Sequence, residues 1–255
     1  MANKRQHTEI FSGRTRFGDI VAEFWMPQRP SGEAVILCDG CPTVPSKHAL
    51  GEFLARKGYW VFHPRYRGTW ESGGEFLKYS PVEDVLLVAE GLKGSFKEMW
   101  SGVRYVLDIR SVIVVGASFG GTAAILASLD DRVEKAVALA PVIDWRREKG
   151  GESFEEFLRQ ITEGFGGAYR APKKNYLKLK RTAFYSPVHS RGATSPTKLL
   201  LIHAKDDDVV PVLPLKKFSQ KYRMRPIILS SGGHLSSSAL MQPKIWKRVN
   251  NFLKK

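Results

Sequence analysis

The chain has no long apolar run, and none of its hydrophobic stretches reaches the ~20 residues a membrane-spanning helix needs. The opening segment Met1-Ala2-Asn3-Lys4-Arg5-Gln6-His7-Thr8-Glu9 lacks the apolar core of a secretory signal, so a cytoplasmic location is expected. Cysteine is scarce: Cys38 and Cys41 are the only two. They cannot form a disulfide framework or a four-cysteine metal site. Their C-x-x-C spacing has no thioredoxin-like surroundings, so thiols at a strand end are expected. There is no G-x-G-x-x-G and no G-K-[ST], which removes the common nucleotide loops; no cofactor and no metal is expected. Acidic residues are in deficit, 25 Asp+Glu against 40 Lys+Arg, for a net charge of +15. The basic residues are dispersed, densest from Arg170 to Arg181, and no DNA- or RNA-binding motif accompanies them. A solvated basic face is expected rather than a nucleic-acid partner.

What is present is a chain of 255 residues with 43% hydrophobic content, enough for one substantial core. Alternating segments around Gly13 and Gly18 predict an edge hairpin. Strands are expected at Ala34–Cys38, Tyr59–His63, Ser111–Val115, Val133–Leu139, Lys198–His203 and Pro226–Ser230. Helices are expected from Ser46 to about Lys57, from Pro81 to about Leu92 behind a Ser80 cap, from the turn after Val115 to about Leu129, from about Val212 to Tyr222 and from about Leu240 to Leu253. Gly94 is expected to break the second of these before another stretch near 96–106. This alternation predicts an α/β fold with a mostly parallel central sheet and helices on both faces. Residues 142–190 interrupt the rhythm with polar, basic and aromatic sequence. They are expected to form a small cap insertion, leaving 1–255 a single domain.

The segment Ser111-Val112-Ile113-Val114-Val115-Gly116-Ala117-Ser118-Phe119-Gly120-Gly121 runs from a buried strand through a tight turn into small, helix-compatible residues. This is the setting in which G-x-S-x-G acts as a nucleophile elbow. Gly116 and Gly120 are needed because side chains two before and two after the serine would collide. A chance match to G-x-S-x-G is expected in about one chain in ten of this size, so the motif needs partners. A serine hydroxyl requires a base, and the base an orienting acceptor. In an open parallel sheet both belong after later strands. His203-Ala204-Lys205-Asp206-Asp207-Asp208-Val209-Val210-Pro211 and Ser231-Gly232-Gly233-His234 satisfy that. His234 is the candidate base; His189 is its only rival. On chemistry alone, any of the three aspartates could orient it.

The order Ser, Asp, His resembles the α/β-hydrolase superfamily, most closely its prolyl-oligopeptidase-like and dienelactone-hydrolase-like branch. Gly116 to Gly121 is similar to the family's G-x-S-x-G-G, Tyr185-Ser186-Pro187 to its Ser-Pro before strand seven, His203 to Pro211 to H-G-x-x-D-x-V-V-P, and Gly232-Gly233-His234 to its terminal G-G-H. The resemblance implies a catalytic triad of Ser118, Asp207 and His234, with Asp206 as runner-up for the acid. It also implies an oxyanion hole from the N–H groups of Phe119 and Cys41. Relatives carry H-G-G-P or H-G-x where this chain has Asp39-Gly40-Cys41-Pro42. Asp39 therefore stands where a histidine is usual, and the arginines of Arg65-Tyr66-Arg67-Gly68 are candidates to neutralise it.

A serine hydrolase acting on carboxylic esters is expected, with a small-molecule ester or short peptide as substrate. The alternatives are a serine peptidase of the prolyl-oligopeptidase type and a non-catalytic binding protein on the same fold. With only about 30 residues ahead of the third strand, no propeller is expected. No membrane span is expected, and an oligomer is compatible with the sequence. Trp145, Phe154, Phe157, Phe165 and Tyr169 are candidates to line an acyl pocket, and the basic cluster hints at an anionic substrate.

Overall fold

The computed structural model describes residues 9–146, 153–181, 184–190 and 195–255. His7 and parts of the 142–190 stretch, at 147–152 and 182–183, lie outside the described residues. Among the described residues ten strands form: β1 (Ser12–Phe17), β2 (Ile20–Trp25), β3 (Glu33–Cys38), β4 (Trp60–Pro64), β5 (Ser95–Lys97), β6 (Arg104–Val106), β7 (Ser111–Ala117), β8 (Lys135–Leu139), β9 (Leu199–Ala204) and β10 (Ile227–Leu229). Eight join one sheet in the order β1-β2-β4-β3-β7-β8-β9-β10. β1 and β2 are antiparallel, as are β2 and β4, while all pairs from β4 to β10 are parallel. The edge hairpin turns at Gly18, whose φ of 57° suits glycine.

The helices are α1 (His48–Ala55), α2 (Pro81–Gly91), α3 (Phe119–Ala127), α4 (Phe154–Arg159), α5 (Lys173–Tyr176), α6 (Val212–Lys221) and α7 (Pro243–Leu253). Strand alternation divides the core. Val35 and Leu37 of β3 face a cluster with Leu50 and Leu54 of α1 and Ile245 and Val249 of α7. Ala34, Ile36 and Cys38 face the other way, with Val85 of α2, Ala123 of α3 and Phe218 of α6. Both faces are thus covered, as period-2 strands between amphipathic helices require. Among the described residues no helix is long and apolar enough to cross a membrane.

Three expectations shift. The stretch after Gly94 is a two-stranded hairpin of β5 and β6, whose Phe96 and Tyr105 stack with centroids 5.2 Å apart. α1 starts at His48 behind Lys47 rather than at a Ser46 cap. The last helix is split: a 3-10 turn spans Ser237–Met241 and α7 begins at Pro243, because proline supplies no N–H to continue the turn before it.

Between β8 and β9, α4 leads into a π-helical turn at Gln160–Phe165 and then short helices. This stretch is fastened to the loop after β4. Thr69 bridges Tyr169, the Phe76 amide donates to the Arg170 carbonyl at 2.8 Å, and Asn175 Nδ2 donates to the Phe76 carbonyl at 3.1 Å. The basic cluster contributes to the same fastening. Arg170 donates to the carbonyls of Trp70 and Ser72, and Lys178 to those of Leu77 and Lys78.

Candidate active site

Ser118 sits between β7 and the first residue of α3 with φ 55° and ψ −120°, a backbone conformation that a residue with a Cβ rarely adopts. The turn is held by Ser118 N–H donating to the Leu139 carbonyl at 2.9 Å. A Cβ at Gly116 would collide with the Gly120 carbonyl, and one at Gly120 with the carbonyls of Cys38 and Asp39. The two glycines are therefore required by close backbone approach, as the sequence suggests. Gly40 comes so near that an added Cβ would stand 3.8 Å from Ser118 Cβ. The 39–42 turn thus flanks the serine. Phe119 begins α3, and its carbonyl accepts from the buried Tyr185 hydroxyl at 2.7 Å.

The loops after β9 and β10 meet beside this turn. His234 Nδ1 lies 2.9 Å from Asp207 Oδ2 and 3.2 Å from Oδ1, and the Asp207 side chain is fully buried. Asp207 Oδ1 also accepts the amides of Val209 at 3.1 Å and Val210 at 2.8 Å. The geometry of these contacts places Nδ1 of the imidazole toward the Asp207 oxygens and Nε2 outward. Asp206 does something else. Its two oxygens accept the amides of Gly232 at 3.1 Å and Gly233 at 3.0 Å, so it ties down the backbone that carries His234. Those bonds hold its carboxyl below the ordinary aspartate value. The choice that sequence left open between the two falls on Asp207 for contact with the imidazole. The rival His189 meets Arg146 and Asp144 instead.

Ser118, His234 and Cys41 line one cleft of about 590 Å³. A smaller pocket of about 60 Å³ opens beside it, with Ser118, Cys41 and Val209 common to both. Trp145, Phe154 and Phe157 line the smaller pocket, as expected. Phe165 and Tyr169 are placed elsewhere: Phe165 packs edge-on against Tyr169, whose hydroxyl accepts the Thr43 amide at 2.9 Å and so braces the 39–43 loop. Glu156 and Gln160, which nothing in the sequence singles out, reach the cleft from α4 and its π-helical continuation.

Asp39 is buried and its carboxylate is occupied. His63 Nε2 lies 2.6 Å from Oδ2 and Lys47 Nζ 3.0 Å from Oδ1. Burial opposes ionisation, but these two partners outweigh it and hold the carboxyl down at about 2. Burial also pushes His63 below its ordinary value, against the pull of Asp39. His63 is therefore neutral, with Nε2–H donating to Asp39 and Nδ1 accepting from Arg65 at 2.8 Å. The expected neutralisation by arginine takes a different form. Arg65 acts on Asp39 only through His63, and Arg67 pairs with Asp84 at 2.5 Å. Histidine and lysine supply the direct contacts because the end of β4 and the start of α1 border the 39–42 turn.

The sequence model of the prolyl oligopeptidase family matches residues 49–255, which include Ser118, Asp207 and His234 but not the 39–42 turn. No curated protein matches the chain in sequence. Among solved structures, an esterase of Pyrococcus furiosus superposes with a TM-score of 0.65 at 19% identity, over 96% of this chain and 90% of that one. An acylaminoacyl peptidase of Pyrococcus horikoshii gives 0.61 at 17% identity, over 96% of this chain but 41% of that one. The 2-hydroxy-6-oxo-6-phenylhexa-2,4-dienoate hydrolase of a Rhodococcus species gives 0.62 at 14% identity, over 97% and 99%. What these structures share with the chain is the α/β-hydrolase fold. By its sequence match and its sheet, the chain belongs to the prolyl oligopeptidase family of α/β hydrolases.

Proposed function

We propose that the protein hydrolyses carboxylic esters through an acyl-enzyme on Ser118. Ser118 Oγ attacks the ester carbonyl while His234 Nε2 takes its proton. Asp207 holds the imidazole and stabilises its charged form. The N–H groups of Phe119 and Cys41 receive the negative charge that develops on the carbonyl oxygen. The tetrahedral species collapses, the carbon–oxygen bond breaks and His234 gives the proton to the leaving alcohol. Water then attacks the acyl-enzyme by the same steps, releasing the acid and restoring Ser118. The described parts of 142–190, through Trp145, Phe154 and Phe157, act as the cap that walls the acyl side of the site.

The observation that carries this reading is the pairing of His234 with the buried Asp207 at 2.9 Å in the cleft that Ser118 lines. Labelling by a fluorophosphonate probe and hydrolysis of short nitrophenyl esters test it. Both should vanish in Ser118→Ala, and an unlabelled wild-type protein would return the reading to a binding protein. A second reading, peptide or acylaminoacyl cleavage by the same residues, is favoured by the family match and the size of the open cleft. Aminoacyl anilides assayed beside nitrophenyl esters separate the two.

A further inference from the structure

Ser118 stands at the junction of two unequal chambers, and the position of His234 decides which part of a substrate enters each. His234 lines the large cleft and is not among the residues lining the small pocket. The group that leaves must take its proton from His234, so it lies on the large side. The acyl group is left with the small side. That pocket holds about 60 Å³; Val142, Trp145, Phe154, Phe157 and Val210 wall it, and Asp144 and Ser153 also line it. At roughly 10–15 Å³ per water-sized group, this is room for about four to six such groups, an acyl chain of up to about six carbons.

The large chamber has the opposite character. Thr43, Gln160, Ser236 and Ser237 offer hydrogen-bonding groups over about 590 Å³. Its charged lining is Lys47, Glu156 and Asp208 beside His234. Lys47 has its ammonium on Asp39 at 3.0 Å, and Glu156 has only a loose contact with Arg159 at 3.9 Å. No residue of the Arg170–Arg181 cluster lines the cleft among the described residues. Among the described residues the wall is left net negative, which disfavours an anionic leaving group.

We infer that the substrates are short-acyl esters, up to about hexanoyl, of bulky polar alcohols that are neutral or cationic. This rests on the roles proposed for Ser118 and His234. It replaces the anionic substrate that the basic cluster suggests.

The test begins with fluorophosphonate labelling of Ser118, so that loss of the parent reading is visible by itself. Nitrophenyl esters from acetate to dodecanoate are then compared. Their kcat/KM should peak at about six carbons or fewer and fall at least about tenfold by dodecanoate, the scale on which a closed pocket rejects added methylenes. Phe154→Ala should move the peak to longer chains, and Val209→Phe should narrow it toward acetate. Acetates of choline, of a neutral sugar and of a hydroxycarboxylate probe the other chamber. The first two should exceed the third at least about tenfold, and Glu156→Lys should raise the third. A labelled enzyme that prefers octanoate, keeps its chain-length profile in Phe154→Ala, or prefers the anionic acetate overturns the inference while leaving the parent reading standing.

Discussion

His63 Nε2 lies 2.6 Å from Asp39 Oδ2, joining the end of β4 to the turn that flanks Ser118. The same turn is held by Lys47 on the other carboxylate oxygen and by the Tyr66 hydroxyl on the Asp39 carbonyl at 3.1 Å. The carboxylate is committed to these partners, and in the proposed reaction it then does not oppose charge developing at the Cys41 amide. Asp39→Asn keeps the shape but leaves Lys47 without its counter-charge. The expected result is a fall in kcat of about 10–100-fold with KM nearly unchanged. Affinity for a trifluoromethyl ketone that mimics the tetrahedral species should fall in step with kcat. A variant that loses KM alone would show that Asp39 binds substrate instead.

Asp39 also contributes to acid stability. Its carboxyl is lowered from 3.8 to about 2 in the folded chain. A group lowered by folding stabilises the native state above its unfolded value and loses that contribution as pH falls through the folded one. The window is therefore between about pH 4 and 2, and the lowering from 3.8 to about 2 corresponds to roughly 2–3 kcal/mol. Thermal unfolding of Asp39→Asn should show a shallower acid limb in that window than the wild type.

Asp206 and Asp207 should separate by variant. Asp207→Asn removes the acceptor that fixes the imidazole tautomer and should lower kcat by about 10⁴-fold with little change in KM. Asp206→Ala frees the Gly232 and Gly233 amides to water. It should cost less than about tenfold in kcat while speeding amide hydrogen exchange across 231–234. Equal losses from the two would show that the loop tie and the imidazole contact act as one unit.

Ser118 should be a position where stability and activity oppose each other. Its φ of 55° costs a residue with a side chain on the order of 1–3 kcal/mol, and glycine does not bear that cost. Ser118→Gly should raise the melting temperature and abolish ester hydrolysis, whereas Ser118→Ala should abolish hydrolysis without the gain. Equal melting temperatures for the two would remove strain as a feature of this turn.

The serine turn, the two later loops and the alternation of strands and helices are legible in the sequence because each is written in a short contiguous segment. β-branched runs mark buried strands, and Gly116, Ser118 and Gly120 mark a turn in which a Cβ at Gly116 would meet the Gly120 carbonyl four residues on, although the facing carbonyls of Cys38 and Asp39 that also require Gly120 are visible only in the fold. Asp206 and Asp207 are different. They share a turn and a chemistry, and only the direction each side chain takes tells the imidazole's partner from the loop's tie. The hairpin of β5 and β6 was equally hidden, since its stability comes from Phe96 and Tyr105 packing on Phe24 of β2. Local composition carries no trace of that contact.

Read alone, the chain specifies a parallel sheet with Ser118, His234 and an aspartate at its carboxyl edge, because hydrophobic period and turn chemistry are local properties. Folding decides what surrounds them. It gives Asp39 to His63 and Lys47, sends Arg170 and Lys178 to loop carbonyls, and brings Glu156 and Gln160 to the cleft. Those outcomes depend on residues dozens of positions apart meeting at distances of a few ångströms, and no spacing along the chain encodes them.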